Sequence, residues 1–360
     1  MHEGNKLEFV QFDKNDSLQI KFMREYLRSL YTRNIVIWQY EKKEFFNGLY
    51  FIKQKNNYIA SQGMIPLNLC VRGKITASAK SETSFLLPEF RNKGIFQDLY
   101  FYTMDKSAEN GIQIIWGFTE LTNLWRNKLK FDVYEGIINE SELLINFTLS
   151  QSCIWRSKQS FISKAKLTLK SLYALTKINK FQKPDKEYSV IEMDKNKLTD
   201  IDLVVNLYKI WQINNPDFVC IQVNKEFLNW RIFNNPIAKY KLIGILKNEI
   251  LVCIGIINVT SNKSYLVDFI VPNSADLNDC LCELLLYLKQ TNKTSHLIYW
   301  ASNRNSYSKN IHLFFKTHGA ICYVNNSMNF VIKKKNVSTF ENLTLSDFYL
   351  NGLWTEGFNI

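Results

Sequence analysis

Hydrophobic and polar positions near the start of the chain follow two different periods. Residues 7–12 alternate with the period of two that is typical of a strand, and residues 17–30 carry apolar side chains at helical spacing. Three stretches rich in β-forming residues follow at 50–52, 58–65 and 75–87, with Asn-Asn and Arg-Gly turns between them. The pattern predicts a strand and a helix followed by three antiparallel strands.

The pattern changes after Pro88. A turn ending at Gly94 leads into a predicted helix over 95–110, and Gly111 stands just beyond the helix end, where glycine is favoured. Three further elements complete this predicted unit: a strand over 112–117, a helix over 121–129 and a strand over 131–138. The first of the three is almost wholly apolar, which is typical of a strand buried on both faces.

The order of elements repeats beyond Pro184. The second half is predicted to contain a strand over 188–193, a helix over 202–214, strands over 241–246, 249–259 and 264–271, a helix over 277–289 and a strand over 296–300. Two copies of one architecture fit a chain of 360 residues, which is too long for one ordinary core. We predict an α/β (α+β) fold with two tandem domains, each a mixed, mostly antiparallel sheet flanked by helices.

The chain between the two halves is basic. Residues 155–183 contain eight basic residues and no acidic one, and Ile162, Ala165, Leu169 and Leu172 fall on one face of a predicted helix. This connector either packs on the domains with its lysines in solvent, or contacts an anionic membrane surface through 156–183. The predicted boundaries are 1–150 for the first domain, 151–186 for the connector, 187–340 for the second domain and 341–360 for a C-terminal tail.

Composition narrows the class of protein. The formal charge of +12 favours anionic partners, without choosing among nucleotides, nucleic acid and anionic lipid. The seven scattered cysteines suit reduced core thiols, and the four histidines have no ligand-like spacing, so we expect no metal. Neither a secretory signal nor an apolar run of the ~20 residues that span a bilayer is found. We therefore expect a cytoplasmic protein, with the connector allowing a place at the inner face of the membrane.

The segment 84–96 combines a strand, a turn and a helix start. Successive backbone amides at a helix N-terminus form a cradle for an anion, to which the helix dipole adds. Gly94 permits the turn and the close approach of a phosphate, while Arg91 and Lys93 add positive charge. The segment follows an antiparallel meander and lacks the Walker lysine-serine pair and the G-x-G-x-x-G pattern. Neither an NTP nor NAD is therefore the expected ligand.

These residues resemble the central motif of the GNAT acetyltransferase superfamily. That motif is a strand ending in an apolar-x-Pro step and then Arg-x-x-Gly-x-(Gly/Ala), here Leu86-Leu87-Pro88-Glu89-Phe90-Arg91-Asn92-Lys93-Gly94-Ile95-Phe96. The segment Asn123-Leu-Trp-Arg-Asn-Lys-Leu-Lys-Phe131 is similar to the family's later Asn-…-Leu-Gly-Phe. The resemblance covers residues 7–140 and implies a GNAT-like first domain.

The second half looks like a degenerate copy of the same fold. Residues 227–236 resemble a segment of tandem bacterial GNAT-like proteins. Residues 272–276, however, hold no Arg-x-x-Gly before the helix that begins at 277. We expect no cofactor in this half, and a role in shaping the acceptor cleft or the fold.

The resemblance implies acetyl-CoA, or another acyl-CoA, as co-substrate. The loop residues that would hold its pyrophosphate are Arg91, Asn92, Lys93, Gly94, Ile95 and Phe96. The pantetheine would pair like an extra strand with the backbone of Leu86 and Leu87, and the thioester would lie where the strands ending near Leu87 and Gly117 diverge. Asn123 of the later motif is a further cofactor-binding candidate.

The implied reaction moves the acyl group to an amine. A backbone N–H would polarise the thioester carbonyl, and a carboxylate would take the proton of the amine. Glu82, on the strand that leads into the motif, is the first candidate base and Glu120 is the second, while Tyr134 could donate a proton to the departing thiolate. The sequence departs from the family at Phe96, which replaces a small residue, and at Arg126, where the family's usual tyrosine acid would fall.

Three functions stay open. The first is an N-acetyltransferase that acts on a small-molecule amine, such as an amino sugar or a cell-surface polysaccharide precursor, with no nucleic acid as partner. The second is a Fem-like aminoacyltransferase using aminoacyl-tRNA, which the net charge would suit but which would not need a pyrophosphate loop at 91–96. The third is a non-catalytic module that senses acyl-CoA or contacts a membrane surface.

Overall fold

The protein, described here from a computed structural model, divides into two compact units. The structure describes residues 7–41, 46–146, 150, 160–178, 187–194, 196–260, 263–291, 294–334, 340 and 342–355. Unit 1 comprises Met1–Cys70, Lys74–Glu135 and Asn326–Leu343, and unit 2 comprises Val71–Gly73, Gly136–Asn325 and Thr344–Ile360. Each unit therefore includes a segment from the other half of the sequence.

Unit 1 is a seven-stranded sheet with helices. Its strands, numbered along the whole chain, are β1 Leu7–Gln11, β2 Leu49–Gln54, β3 Asn57–Pro66, β6 Ser78–Leu86, β7 Ile114–Thr119, β8 Asp132–Tyr134 and β17 Asn329–Lys334, and its helices are α1 Ser17–Tyr26, α2 Arg33–Tyr40 and α3 Ile95–Glu109. The strand order is β1-β2-β3-β6-β7-β17-β8. A 3-10 turn at Pro88–Phe90 precedes α3, and a π-helix spans Leu124–Lys128.

Unit 2 has a second seven-stranded sheet. Its strands are β9 Ile138–Leu144, β10 Tyr188–Glu192, β12 Tyr240–Lys247, β13 Ile250–Val259, β14 Lys263–Ile270, β15 His296–Ser302 and β16 Ile321–Val324, and its helices are α4 Phe161–Ile178, α5 Leu198–Asn214, α6 Leu277–Thr291 and α7 Ser306–Thr317. The strand order is β10-β12-β13-β14-β15-β9-β16. Short helices of unit 2 lie at Lys225–Phe227, Leu228–Phe233, Ser274–Asp276, Leu345–Asp347 and Gly352–Trp354, and its short strand is β11 Val219–Ile221. Two further short strands are β4 Leu69–Val71, which begins in unit 1, and β5 Lys74–Thr76 of unit 1.

The two sheets have the same design position by position. Counted across each sheet, the first four strands come from one half of the sequence and each is antiparallel to the next. The fourth strand pairs in parallel with the fifth, and the sixth strand comes from the other half of the sequence. In unit 1 that sixth strand is β17, which lies between β7 and β8; in unit 2 it is β9, which lies between β15 and β16. The expected fold class, two units with mixed, mostly antiparallel sheets flanked by helices, is confirmed.

This strand exchange corrects one prediction. A single strand over 131–138 is wrong, because β8 ends at Tyr134, Gly136 turns the chain with a φ of 61°, and β9 begins at Ile138 in unit 2. The alternating pattern is continuous, so local periodicity does not reveal that its two ends pair with different sheets. The domain boundaries drawn from sequence stay a prediction, and the compact units divide the chain differently.

The sequence pattern missed the helix α2 but predicted a helix in the basic connector. α2 was missed, since its eight residues include the β-branched Ile35, Val36 and Ile37 and are too few for a clear helical period. The basic connector contains α4, and its remaining residues at 151–159 and 179–186 lie outside the described residues. No helix in the described ranges is long and apolar enough to cross a membrane.

Candidate active site

The parallel pair β6 and β7 opens into a groove in unit 1. The strands pair only from Ser78 opposite Ile114 to Lys80 opposite Trp116. Beyond that point β6 bulges away: Ser61 of β3 faces Phe85 but Gly63 faces Glu82, so one residue of β6 is extra. The resulting groove has a volume of about 680 Å³, and its lining comes from within residues 27–31, 81–86, 91–96 and 118–125.

The bulge is held by a buried polar network. Thr83 has a φ of 52°, an uncommon conformation for a β-branched residue, and its Oγ1 lies 2.9 Å from the Tyr40 hydroxyl. Ser61 Oγ donates to the Thr83 carbonyl at 2.8 Å. A Cβ atom on Gly63 would overlap with the Tyr40 hydroxyl and with Thr83 Oγ1. Only glycine therefore fits at position 63 while this bulge is present.

The loop before α3 presents free backbone donors. Asn92 and Gly94 have φ values of 63° and 81°, and Gly94 is the N-cap of α3 without a side-chain cap. The first amide that bonds back is that of Asp98, which donates to the Gly94 carbonyl at 3.1 Å. The amides of residues 92–97 donate to no residue in the described part of the chain. Such a run of donors at a helix N-terminus is an anion-binding site.

The two basic side chains of this loop brace it. Arg91 Nε donates to the Leu86 carbonyl at 3.3 Å. Lys93 Nζ donates to the Glu89 carbonyl at 2.9 Å and lies 5.5 Å from the centre of the Phe90 ring. Both cations therefore add positive charge beside the free amides while fixing the course of the backbone.

The free edge of β6 offers Leu86 rather than Leu87 to a ligand. The Leu87 amide donates to the Ile59 carbonyl at 2.9 Å, so its polar groups face β3. Backbone groups of successive strand residues point to opposite edges, and those of Leu86 therefore point to the groove, where Arg91 reaches its carbonyl. Of the two residues predicted to pair with a bound chain, Leu86 has the suitable orientation.

The two candidate bases have different surroundings. Glu82 forms an ion pair with Lys80, whose side chain is only 4% exposed, so Glu82 is the counter-ion of a buried cation. Glu120 also lines the groove, is exposed, and forms no ion pair with a described residue. The groove therefore contains one carboxylate that is committed to a partner and one that is available.

Six of the predicted site residues are not part of the groove lining: Leu87, Lys93, Gly94, Ile95, Asn123 and Tyr134. Tyr134 is on β8, which is separated from β7 by β17, and its ring stacks on Phe330 at 6.4 Å. Burial raises the pKa of Tyr134, with a smaller contribution from Asp132. Asn123 is exposed at the start of the π-helix, one residue before Leu124, which does line the groove. The sequence could not show the position of Tyr134, because β17 enters the sheet from the far end of the chain.

Sequence reasoning missed one side of the groove. Leu27, Arg28 and Tyr31, from the end of α1 and the connection to α2, line it, and Tyr31 is the tyrosine among the lining residues. Tyr31 is only 2% exposed. No local signal marked these residues, since their place depends on the packing of α1 and α2 beside the sheet.

The corresponding opening in unit 2 is filled. β14 and β15 pair from Lys263 opposite His296 to Leu266 opposite Tyr299 and then diverge. The C-terminal segment enters there: Ser302 N donates to the Leu350 carbonyl at 3.0 Å, and Asn351 bridges to Ala301. A Cβ atom on Gly352 would lie 2.8 Å from Val267 Cα. The segment packs against both diverging strands at backbone distance.

A buried carboxylate ties this segment down. Asp268 accepts hydrogen bonds from the hydroxyls of Tyr208 at 2.5 Å and Tyr349 at 2.7 Å, and from Asn351 Nδ2 at 2.8 Å. Burial raises the pKa of Asp268 to about 6, while these hydrogen bonds oppose the shift. Asp268 thus links α5 and the C-terminal segment to β14.

The helix start in unit 2 also differs. α6 begins after a 3-10 turn with Asp276 as its last residue. The Asp276 carboxylate accepts from Lys247 at 2.8 Å, Tyr188 at 2.9 Å and Asn273 at 3.0 Å. Lys247 holds the pKa of Asp276 below its usual value. A carboxylate therefore stands at this helix start, where unit 1 has free amides.

Solved structures of acyltransferases resemble most of the chain. A GCN5-related N-acetyltransferase from Anabaena variabilis is 10% identical, with a TM-score of 0.63 over 93% of this chain and 74% of that one. A probable N-acyltransferase from Enterococcus faecalis is 9% identical, with a TM-score of 0.58 over 93% and 74%. Saccharomyces cerevisiae N-myristoyltransferase with bound myristoyl-CoA is 12% identical, with a TM-score of 0.58 over 91% and 82%.

The chain has the GNAT fold. At these identities the likeness establishes architecture alone, and function has to be argued from the site. At the level of sequence, neither a family model nor a curated protein matches the chain. Within the described residues, no cluster of His, Cys, Asp and Glu side chains is arranged to hold a metal ion.

Proposed function

We propose that unit 1 binds an acyl-CoA, with acetyl-CoA as the first candidate, and transfers its acyl group to an amine. The observation that carries this proposal is the groove between β6 and β7, which adjoins the free amides of residues 92–97. A pyrophosphate needs such donors, and an extended pantetheine needs a free strand edge nearby. The fold shared with N-acyltransferases supports the same assignment.

In the proposed complex each part of the ligand meets one feature of the groove. The pyrophosphate accepts from the amides of residues 92–96, beside Arg91 and Lys93. The pantetheine pairs with the Leu86 backbone, and the thioester reaches the bulge at Thr83 and Ser84. Because the bulge leaves a residue outside the ladder with β3, an amide there is available to the thioester carbonyl oxygen.

The proposed reaction is a direct transfer. The neutral amine attacks the thioester carbon, the C–N bond forms, and the C–S bond breaks to release CoA as a thiolate. A carboxylate accepts the proton that the amine loses, and a proton donor neutralises the thiolate. Holding both reactants in one groove supplies much of the acceleration, since attack becomes intramolecular in effect.

We assign the base role to Glu120 and a supporting role to Glu82. Glu82 is paired with the buried Lys80, and removing it would leave that cation without its counter-ion. Tyr31, as the tyrosine of the lining, is the candidate donor to the thiolate in place of Tyr134. Asn123 is retained only as a neighbour of the groove.

For the acceptor we keep the amino sugar as the first class to be screened. Unit 2 is proposed to bind no cofactor, because the C-terminal segment occupies the opening where a pantetheine would lie and Asp276 stands at the helix start. A cytoplasmic location remains part of the proposal, since it is where acyl-CoA is available.

The test is release of CoA thiol from acetyl-CoA, followed with a thiol reagent in the presence of a panel of amines that includes amino sugars. The proposal predicts amine-dependent thiol release that is lost in Glu120→Gln. Acetyl-CoA binding without turnover for any amine would favour the sensing module. Transfer from aminoacyl-tRNA with no affinity for CoA would favour the Fem-like aminoacyltransferase.

A further inference from the structure

The helix α4 has an exposed apolar face. Its exposed fractions are 79% for Ile162, 67% for Leu169 and 42% for Leu172. Phe161 and Tyr173 are 72% and 61% exposed. At 3.6 residues per turn these five positions fall within an arc of about 120°. A contiguous apolar arc of this kind on a helix surface is characteristic of an interaction site.

The charge of the segment points to the kind of partner. From 155 to 183 the sequence has eight basic residues and no acidic one. In the sequence, Lys166, Lys170 and Lys177 recur at intervals of four and seven residues, which is the spacing of one helix face. An apolar face with lysines at its border is the pattern of a helix that lies in the interface of an anionic bilayer.

Another helix of the same unit shows that exposed apolar residues alone do not make this pattern. On α5, Leu203 is 49% exposed, Ile210 41% and Ile213 74%. That helix, however, contains two aspartates and one lysine between residues 198 and 214, so it lacks the positive charge that anionic lipid requires. Of these two helices, only α4 combines exposed apolar residues with a basic segment that has no acidic residue.

We propose that α4 binds the surface of an anionic membrane. The helix lies parallel to the surface, with Ile162, Leu169 and Leu172 among the acyl chains and the lysines of the segment at the level of the lipid phosphates. With about 27 Å of length, 18 residues at 1.5 Å each, α4 is suited to an interfacial position. This proposal is independent of the acyltransferase assignment to unit 1.

The experiment is vesicle flotation of the full chain with phosphatidylcholine alone and with an equimolar mixture of phosphatidylcholine and phosphatidylglycerol. We expect binding to the mixture that is at least about tenfold stronger and that weakens as salt is added. Ile162→Ser/Leu169→Ser and, separately, Lys166→Gln/Lys170→Gln/Lys177→Gln should each reduce that binding about tenfold or more. The matched control Leu203→Ser/Ile213→Ser, on α5, should bind as the wild type does.

Three results would overturn the proposal. One is equal or absent binding of the wild type to both kinds of vesicle. Another is a lysine variant that binds the mixture as well as the wild type. The third is binding to soluble polyglutamate that equals binding to the mixed vesicles and survives Ile162→Ser/Leu169→Ser, since this would assign the segment to an acidic protein.

Discussion

Both units of this protein contain a parallel pair of strands that diverges beside a β-bulge, but the chain leaves one opening free and fills the other. In unit 2 the bulge is on β14, where Ile256 of β13 faces Asp268 and Ile257 faces Leu266. In unit 1, beyond Lys80 and Trp116, the opening is a groove of about 680 Å³. In unit 2, beyond Leu266 and Tyr299, the chain's own C-terminal segment lies between the strands. One sheet design thus leaves an open groove in one unit, and in the other unit its opening is occupied by a segment of the protein itself.

The helices that follow β6 in unit 1 and β14 in unit 2 also begin differently. α3 begins with free amides after Gly94, whereas α6 begins after the carboxylate of Asp276. A helix N-terminus attracts negative charge, and in unit 2 the residue directly before the helix is Asp276, whose carboxylate is paired with Lys247. An anion site at this point of the fold therefore needs an open strand pair and a helix start whose amides are free and have no carboxylate directly before them.

The largest effect should come from the carboxylate of the open groove. Glu120→Gln removes the proposed base, and we expect kcat to fall by about 100-fold to 1,000-fold with little change in acetyl-CoA affinity. Steady-state kinetics with calorimetry separates the two quantities. Glu249→Gln, on the surface of unit 2, is the control and should leave kcat unchanged. An unchanged kcat in Glu120→Gln would remove that residue from the mechanism.

The filled opening should show itself in the pH dependence of stability. The folded-state pKa of Asp268, about 6, lies above its unfolded value of 3.8, so the folded protein holds this proton more tightly. The resulting stabilisation is present at low pH and is lost as the pH rises through about 6. Between pH 4 and pH 7 the wild type should therefore lose about 2.5 kcal/mol relative to Asp268→Asn.

Urea unfolding of both proteins at several pH values measures this difference, and subtraction cancels the titration of all other groups. A difference in unfolding free energy that stays flat from pH 4 to pH 7 would contradict the assigned role of the Asp268 network.

The glycines beside the two bulges should respond differently to a methyl group. Gly63→Ala forces a Cβ against the Tyr40 hydroxyl and Thr83 Oγ1, and we expect a loss of about 2 kcal/mol in unfolding free energy. At Gly255, beside the bulge of unit 2, the nearest atom to a Cβ would be Phe269 Cδ2 at 3.4 Å, so alanine should cost less than about 1 kcal/mol. Adding Tyr40→Phe to Gly63→Ala should restore part of the loss. Equal losses at both glycines would show that the bulges are not distinguished by packing.

A smaller effect is expected from the ion pair below the groove. Glu82→Gln leaves Lys80 without its counter-ion and should cost about 1–2 kcal/mol, reduced from the fully buried case because Glu82 is 21% exposed. The double variant Lys80→Met/Glu82→Gln should recover most of that stability. Chemical denaturation of both variants measures the coupling, and no recovery in the double variant would speak against the pair.

The sequence predicted features set by local order and missed those set by distant segments. The helix start at Gly94 was predicted, because a strand, a turn and a glycine cap follow one another within 84–96. The pairing of Glu82 was detectable in principle, since Lys80 stands two residues away on the same strand face. The position of Tyr134 outside the groove lining and the filling of the second opening could not be predicted, because β17 and residues 345–355 come from the far end of the chain.

The most direct test of the central claim is calorimetric titration of acetyl-CoA into the wild type, Gly94→Glu and Gly111→Glu. The two glycines flank α3 and share a φ of 81°, and a Cβ atom on either would meet no other atom within 4 Å, so backbone strain is matched. We predict sub-millimolar binding to the wild type and to Gly111→Glu, and affinity lower by about 100-fold in Gly94→Glu, where a carboxylate meets the pyrophosphate. Absence of binding to the wild type, or equal losses in the two variants, would contradict the claim.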